Sequence, residues 1–324
     1  MRRSWIALAI VVVIIVVVVV ISARRTPPDG GGTTPTTQTP AQPATEAGPA
    51  TPTTQGPPAP DTARPATATA PDTAKPTTAT PAPEPPKADA LLQKAEALVG
   101  AKKPLEAIKA LSAALLADTP PDDPAPVRQR LSQLVNETLF SPRPCPPLSR
   151  TCEVASGDTL WKLAKDNKTT VGLIQRINGL KSDALRVGQR LKVIPGGFDV
   201  TVAKSAFRLT VTKDGIWVRE LTVGLGKDGS TPVGEFTAGH KLKQPTYFGD
   251  GAPVPFEDKK NNPLGTRWIT IQGAGAGQYG IHGTWEPESM GKEMSKGCVR
   301  MLNEDVEWLF DLIVPGQSKI VIKP

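Results

Sequence analysis

A cysteine follows a glycine in the segment EMSKGCVRM, residues 293–301, and a histidine lies sixteen positions earlier, in QYGIHG. The thiol of Cys298 is a candidate nucleophile, because a neighbouring base can take its proton or stabilise its thiolate. His282 is the candidate for that partner. Gly297 permits close backbone approach and unusual dihedral angles beside the thiol. This pattern favours a reactive cysteine, with a buried structural cysteine as the alternative.

The chain has two further cysteines and one further histidine. Cys145 and Cys152 lie seven positions apart in a proline-rich stretch, and in an oxidising compartment they either form a disulfide or stay reduced. If they pair, Cys298 is left over, and such a cysteine is intermolecular or reactive. No Cys or His pair has zinc-site spacing, so no metal is expected. His240 is interpreted as a surface or structural histidine.

The residues around these groups, 197–324, have mainly strand patterns. FRLTVTKDGIWVRELTV alternates around Asp214-Gly215, which predicts a hairpin. RWITIQG, QYGIHG and SKIVIKP are further strand candidates. NEDVEWLFDLI predicts a helix that Asn303 or Asp305 could cap. Its predicted buried face consists of Val306, Leu309, Phe310 and Ile313. We therefore expect a mainly β domain with one or two helices.

Residues 151–196 predict a small β-α-α-β unit. The first strand is expected at 152–154, and the turn Ser156-Gly157-Asp158 should cap the first helix. The second helix is expected to end at Asn178-Gly179, and a strand at 191–194 should follow the turn around Gly188.

Residues 87–142 have apolar residues at helical spacing, with a break at Lys103-Pro104 and another at DTPPDDPAP. They predict a helical hairpin and a third helix, similar to one tetratricopeptide unit. Because one such unit is too little for a repeat array, we interpret the segment as a helical spacer or docking module.

Two segments precede these folded parts. Residues 1–25 contain 17 consecutive apolar residues, from Trp5 to Ile21. As a helix this run would span roughly 26 Å, close to the thickness of a hydrocarbon core. We favour a retained signal anchor over a cleaved signal peptide, with the folded parts outside the cytoplasm. Residues 26–86 are rich in Pro, Thr and Ala, which predicts a disordered, semi-stiff linker.

The net charge of +7 is spread along the chain, and no basic stripe alternates with aromatic residues. Nucleic-acid binding is therefore not expected.

Two segments resemble known families. SGDTLWKLA, INGL and LRVGQRLKVIP resemble a LysM domain over its full length, which implies binding to N-acetylglucosamine-containing glycans such as peptidoglycan. IHGTWEPESMGKEMSKGCVRM, together with STPVGEF and NPLGTRWI, resembles the L,D-transpeptidases of the YkuD family. The second resemblance covers essentially all of residues 198–324. It implies a YkuD-like β-sandwich or barrel.

The transpeptidase resemblance implies roles for particular residues. Cys298 would be the nucleophile and His282 its base, oriented by the carbonyl of Gly283. The remaining motif residues would support the substrate or the oxyanion. The backbone amides of Gly297 and Cys298 would form the oxyanion hole, and the hydroxyl of Ser295 would stabilise the turn. Arg300 would lie near a substrate carboxylate or form an ion pair, and Lys296 lies beside the Gly-Cys pair. Many family members have histidine where this chain has Lys296, which either assists the thiol or is an ordinary solvated side chain.

The implied reaction is a two-step acyl transfer that needs no cofactor. Cys298 would attack a tetrapeptide stem and release D-alanine, and an amine of a neighbouring stem would then form a 3→3 crosslink. Water as acceptor would give an L,D-carboxypeptidase, and a protein amine would give envelope-protein attachment. A wall-binding structural protein with a silent catalytic domain is the alternative. Peptidoglycan stems and glycan are the expected partners, beside the membrane, and the cell envelope is the expected location.

Overall fold

The computed structural model describes residues 84–249, 251–275 and 279–324. The predicted membrane anchor, 1–25, and nearly all of the predicted linker, 26–86, lie outside these residues. Among the residues described, none of the helices combines the length and the apolar character needed to cross a bilayer.

Three helices open the described chain: α1 (Ala88–Gly100), α2 (Pro104–Leu115) and α3 (Pro124–Thr138). Pro104 and Pro124 stand in the first turn of their helices, where the missing N–H is not needed. Asp123 caps α3 by accepting from the amide of Ala125 at 3.1 Å. The predicted helical hairpin and third helix are therefore present.

The next unit has the predicted β-α-α-β order: β1 (Arg150–Glu153), α4 (Leu160–Asp166), α5 (Val171–Asn178) and β2 (Arg190–Val193), with β1 and β2 antiparallel. The cap of α4 differs from the prediction. Thr159, rather than the Ser156-Gly157-Asp158 turn, accepts from the amide of Lys162. Gly179 ends α5 in a left-handed conformation, with φ of 64°.

The remaining residues build one mixed sheet of eight strands. Its members are β3 (Asp199–Ala203), β4 (Arg208–Lys213), β5 (Ile216–Thr222), β7 (Gly234–Lys243), β8 (Arg267–Gln272), β9 (Gly280–His282), β11 (Val299–Arg300) and β12 (Lys319–Lys323). They are hydrogen-bonded in the order β11-β9-β8-β7-β12-β3-β4-β5. The predicted sandwich or barrel is thus a single curled sheet with edges at β11 and β5.

The predicted hairpin joins β4 and β5, and both residues of its turn have positive φ, 50° at Asp214 and 75° at Gly215. Both central residues of a type I′ turn need such angles. A short parallel pair, β6 (Leu225–Gly226) with β10 (Glu293–Ser295), lies beside the sheet. This pair was not predicted, because its two strands are nearly 70 residues apart and only two or three residues long.

One helix of this part, α6 (Asn303–Leu312), packs on β8 and β9. The predicted apolar face of α6 is buried in the same core as Ile269, Ile281 and Val299. The predicted cap is wrong, because Leu302 is the N-cap and neither Asn303 nor Asp305 caps the helix through its side chain. Asn303 instead joins two loops: it accepts from the amide of Thr266 and donates to the carbonyl of Thr284.

Candidate active site

The two candidate catalytic residues are brought together by the parallel pairing of β9 and β11. In this register Arg300 lies opposite His282, and Val299 lies opposite Ile281. Because side chains alternate along a strand, His282 and Arg300 share one face, and Ile281 and Val299 enter the core on the other. Cys298 immediately precedes β11, so the same alternation puts it on the side of Arg300 and His282. Its sulfur interacts with the backbone of Gly280, two residues before His282 in β9.

A tight turn presents the thiol. Gly297 has φ of 125°, and an added Cβ there would lie 2.6 Å from the ring of Tyr279. A side chain at this position would therefore be strained and would collide with Tyr279. The hydroxyl of Ser295 accepts from the amide of Gly297 at 3.1 Å and donates to the carbonyl of Cys298 at 2.7 Å. Ser295 thus stabilises the turn, and the Gly297 amide is already engaged.

The imidazole of His282 is buried, with 3% of its surface exposed. Its Nδ1 lies 2.6 Å from the carbonyl oxygen of Gly283. Because a carbonyl only accepts, Nδ1 carries the proton, and Nε2 is the basic nitrogen of the neutral ring. Burial lowers the pKa of His282 to about 4; hydrogen bonds to the backbone of Gly283 and of Leu264 oppose the shift, and the charge of Arg300 adds to it.

The thiol of Cys298 also favours its uncharged form. Burial raises its pKa, although a hydrogen bond from the backbone of Gly280 and the charge of Arg300 both act to lower it. At neutral pH the directions of the two shifts favour a neutral thiol beside a neutral imidazole, rather than a thiolate–imidazolium pair. This arrangement suits general-base activation at the moment of attack.

Arg300 connects the two groups electrostatically, since its charge acts on both His282 and Cys298. Its Nη1 donates to Glu286 at 2.7 Å, and 12% of its side chain is exposed. The Nε atom is buried and has no hydrogen-bond partner within the described part of the chain. A buried donor without a partner is a candidate to bind a carboxylate or another acceptor of a ligand.

The chain matches two protein-family models. A family model of the L,D-transpeptidase catalytic domain, YkuD, matches residues 197–322, and one of the LysM domain matches residues 152–193. The Bacillus subtilis protein with the name "Putative L,D-transpeptidase YkuD" is 31% identical over 180 residues, which are 53% of this chain and 98% of that protein. The chain belongs to the YkuD family of L,D-transpeptidases.

Two further comparisons involve the transpeptidase domain. A second B. subtilis protein, with the name "Putative L,D-transpeptidase YqjB", is 38% identical over 135 residues, which are 40% of this chain and 73% of that protein. The NMR structure of the catalytic domain of the E. faecium L,D-transpeptidase aligns at 25% identity with a TM-score of 0.32, over 39% of this chain and 96% of that structure.

Other predicted residues lie at the edge of the transpeptidase site or away from it. Lys296 is exposed on the turn before the thiol. His240 is exposed on β7, with Thr270 Oγ1 at 3.1 Å from its ring nitrogens. Cys145 and Cys152 are not joined by a disulfide in this structure.

Four neighbours of the site were not predicted: Trp268, Tyr279, Gly280 and Glu286. Trp268 stacks on His282, with ring centroids 5.7 Å apart. For Gly280 the sequence carried a positional signal, because a residue two positions before His282 in a strand lies on the same face. The positions of the others depend on strand register and loop path.

Proposed function

We propose that this chain is a peptidoglycan L,D-transpeptidase that forms 3→3 crosslinks through a thioester on Cys298. The observation that carries the proposal is the shared sheet face of Cys298 and His282, with the basic Nε2 set by the hydrogen bond to Gly283. His282 removes the thiol proton while sulfur attacks the carbonyl of the third stem residue. The C–N bond to D-alanine then breaks, and the leaving amine takes that proton.

In the second step the side-chain amine of a neighbouring stem attacks the thioester. An amide forms, the C–S bond breaks, and the thiol regains a proton. The amides of the Gly297–Cys298 turn are the proposed oxyanion donors, and the Gly297 amide would have to leave Ser295 Oγ to take part. The buried, unmatched Nε of Arg300 supports a role in binding a substrate carboxylate. Lys296, exposed beside the turn, is proposed as a secondary contact for the same charge.

The LysM domain is proposed to hold the enzyme on the glycan of the wall. We also propose that residues 1–25 anchor it in the cytoplasmic membrane and that residues 26–86 span the distance to the wall, which places the folded parts in the cell envelope. Two attachments would raise the local concentration of the catalytic domain near its substrate.

The test is intact-protein mass spectrometry of the full-length protein with a disaccharide-tetrapeptide. We expect a covalent acyl adduct, D-alanine release and dimeric stems. Cys298→Ala should lose all three, and Cys152→Ala, which removes a partly exposed thiol outside the site, should retain them. Tripeptide without dimers would instead assign an L,D-carboxypeptidase. A folded, reduced protein that forms no adduct would favour the wall-binding alternative.

A further inference from the structure

The indole of Trp268 covers the imidazole of His282. The two residues lie directly opposite each other in the antiparallel pair of β8 and β9. Their ring centroids are 5.7 Å apart, and the ring planes differ by 15°. A stacked ring of this size limits rotation of the imidazole and shields one of its faces from water.

The same indole lies over the backbone of Gly280. A Cβ added to Gly280 would be 2.5 Å from Cζ2 of Trp268, which is closer than atoms approach in proteins. Glycine is therefore what permits the indole to reach this position. The backbone of Gly280 also forms the hydrogen bond that favours the thiolate of Cys298. The indole of Trp268 thus contacts both the imidazole of His282 and Gly280, whose backbone forms a hydrogen bond with the sulfur of Cys298.

Trp268 is itself held by a hydrogen-bonded chain. Its Nε1 donates to Thr270 Oγ1 at 2.9 Å. The Thr270 hydroxyl lies 3.1 Å from the ring nitrogens of His240 and can donate its own proton to one of them. Thr270 is 7% exposed, so the indole is oriented by a largely buried hydroxyl.

We propose that Trp268, oriented by Thr270, is a positioning residue that sets the imidazole of His282 and the Gly280 amide relative to the Cys298 thiol. Trp268 acts through these neighbours and takes no proton itself. The inference rests on the proposed acyl transfer for its kinetic consequence. Its structural consequence is independent: without the indole, water reaches His282, and burial no longer lowers the pKa of the imidazole to about 4.

The experiment compares Trp268→Ala and Thr270→Val in the full-length protein. Leu116→Ala is the control, because Leu116 is a large apolar side chain that is 45% exposed at the end of α2, outside the LysM and catalytic domains. Two quantities are measured: the pKa of His282 by NMR, and kcat and KM for D-alanine release from a disaccharide-tetrapeptide. The chain has two histidines, so the His282 signals are those that disappear in His282→Gln.

For Trp268→Ala we expect the pKa of His282 to rise toward 6.5 and kcat to fall by about 10- to 100-fold. KM should stay within about twofold, because the residue acts on the catalytic groups. Thr270→Val keeps the shape of threonine but removes the acceptor of Nε1, and it should shift both quantities in the same direction by less. Leu116→Ala should leave the pKa and kcat unchanged.

A folded Trp268→Ala protein with the wild-type His282 pKa and the wild-type kcat would overturn the inference. If this variant does not fold, Trp268→Leu keeps apolar bulk without the stacked ring or Nε1, and the same two measurements decide. Failure of the proposed function would look different. A wild-type protein that releases no D-alanine would remove the acyl transfer, whereas the NMR titration would still show whether Trp268 controls the imidazole.

Discussion

The imidazole of His282 and the thiol of Cys298 are both biased toward their uncharged forms by burial. The charge of Arg300 partly opposes the preference of the Cys298 thiol for its uncharged form, and it strengthens that preference for the His282 imidazole. A neutral pair is less reactive toward simple electrophiles than a preformed thiolate, but it avoids placing two charges in a poorly solvated site. In the proposed acyl transfer, proton transfer to His282 would be coupled to attack on the substrate carbonyl.

The preference of His282 and Cys298 for their uncharged forms predicts how acylation depends on pH. Lowering the pH protonates the base, and because the pKa of His282 is about 4, the base form persists well below neutrality. We expect kcat/KM for acylation by the tetrapeptide to be nearly constant from about pH 5.5 to 7.5 and to fall below about pH 5. Stopped-flow or rapid-quench mass spectrometry across pH 4–8 measures it.

The control is iodoacetamide alkylation of Cys298, which reports the thiolate directly. Because burial raises the pKa of this thiol, alkylation should still be increasing with pH above 8. An alkylation rate already at its plateau at pH 6 would contradict the neutral pair and indicate a thiolate–imidazolium pair.

The sequence was sufficient to name the candidate reacting residues but not their surroundings. Cys298, His282 and the Ser295 turn lie in one local motif, so short-range pattern and family resemblance find them. Trp268 and Glu286 reach the site through the β8–β9 register and through a loop, respectively. Such long-range geometry leaves little local pattern in the sequence.

At the scale of elements, the helical segment covers one edge of the catalytic sheet. α2 and α3 both contact β5, which is an edge strand. The amide of Trp217 in β5 donates to Ser112 Oγ of α2 at 2.6 Å, and both residues are buried. Edge strands expose unpaired backbone groups that invite association with other chains, and a covering helix prevents this. The helical pattern was predictable, whereas this contact, 105 residues apart in sequence, was not.

Ser112→Ala should therefore destabilise the protein more than its small size suggests. The change leaves the Trp217 amide buried without an acceptor, at a cost of about 1–3 kcal/mol in the free energy of unfolding. Urea denaturation of the full-length protein measures the difference. Ser141→Ala removes an exposed hydroxyl at the end of the helical segment and should cost much less. Equal unfolding free energies for the two variants would show that the edge contact is not what stabilises β5.

At the scale of the whole described molecule, the helical, LysM and catalytic parts are joined by specific buried contacts. Lys192 of β2 is 2% exposed, and its Nζ donates to the carbonyls of Thr138, Leu139 and Ser141 at the end of α3. Leu173 and Ile177 of α5 belong to the core of the catalytic domain, and Ile174 belongs to the core of the LysM domain. The LysM domain is therefore packed on the catalytic domain rather than merely connected to it.

Replacing Gly172 of α5 by alanine tests how the LysM domain packs on the catalytic domain, because the replacement has two effects on stability with opposite signs. Alanine favours a helix over glycine by up to about 1 kcal/mol, so Gly172→Ala should stabilise α5 taken alone. In the folded chain, however, the added Cβ would lie 2.2 Å from Oδ1 of Asp311, a residue of α6 that pairs with Arg176 at 2.6 Å. Asp311 would have to move and weaken that ion pair.

We therefore expect Gly172→Ala to lower the unfolding free energy of the full-length protein, by about 1–3 kcal/mol. Gly100→Ala is the matched control, since a Cβ there meets no atom within 4 Å. Asp311→Ala removes the obstructing carboxylate, so adding Gly172→Ala to it should cost little, and the double-mutant cycle isolates the coupling. If Gly172→Ala were as harmless as Gly100→Ala, the LysM domain would be held less closely than the structure indicates, because only a rigid α5–α6 contact turns one methyl group into a loss of stability.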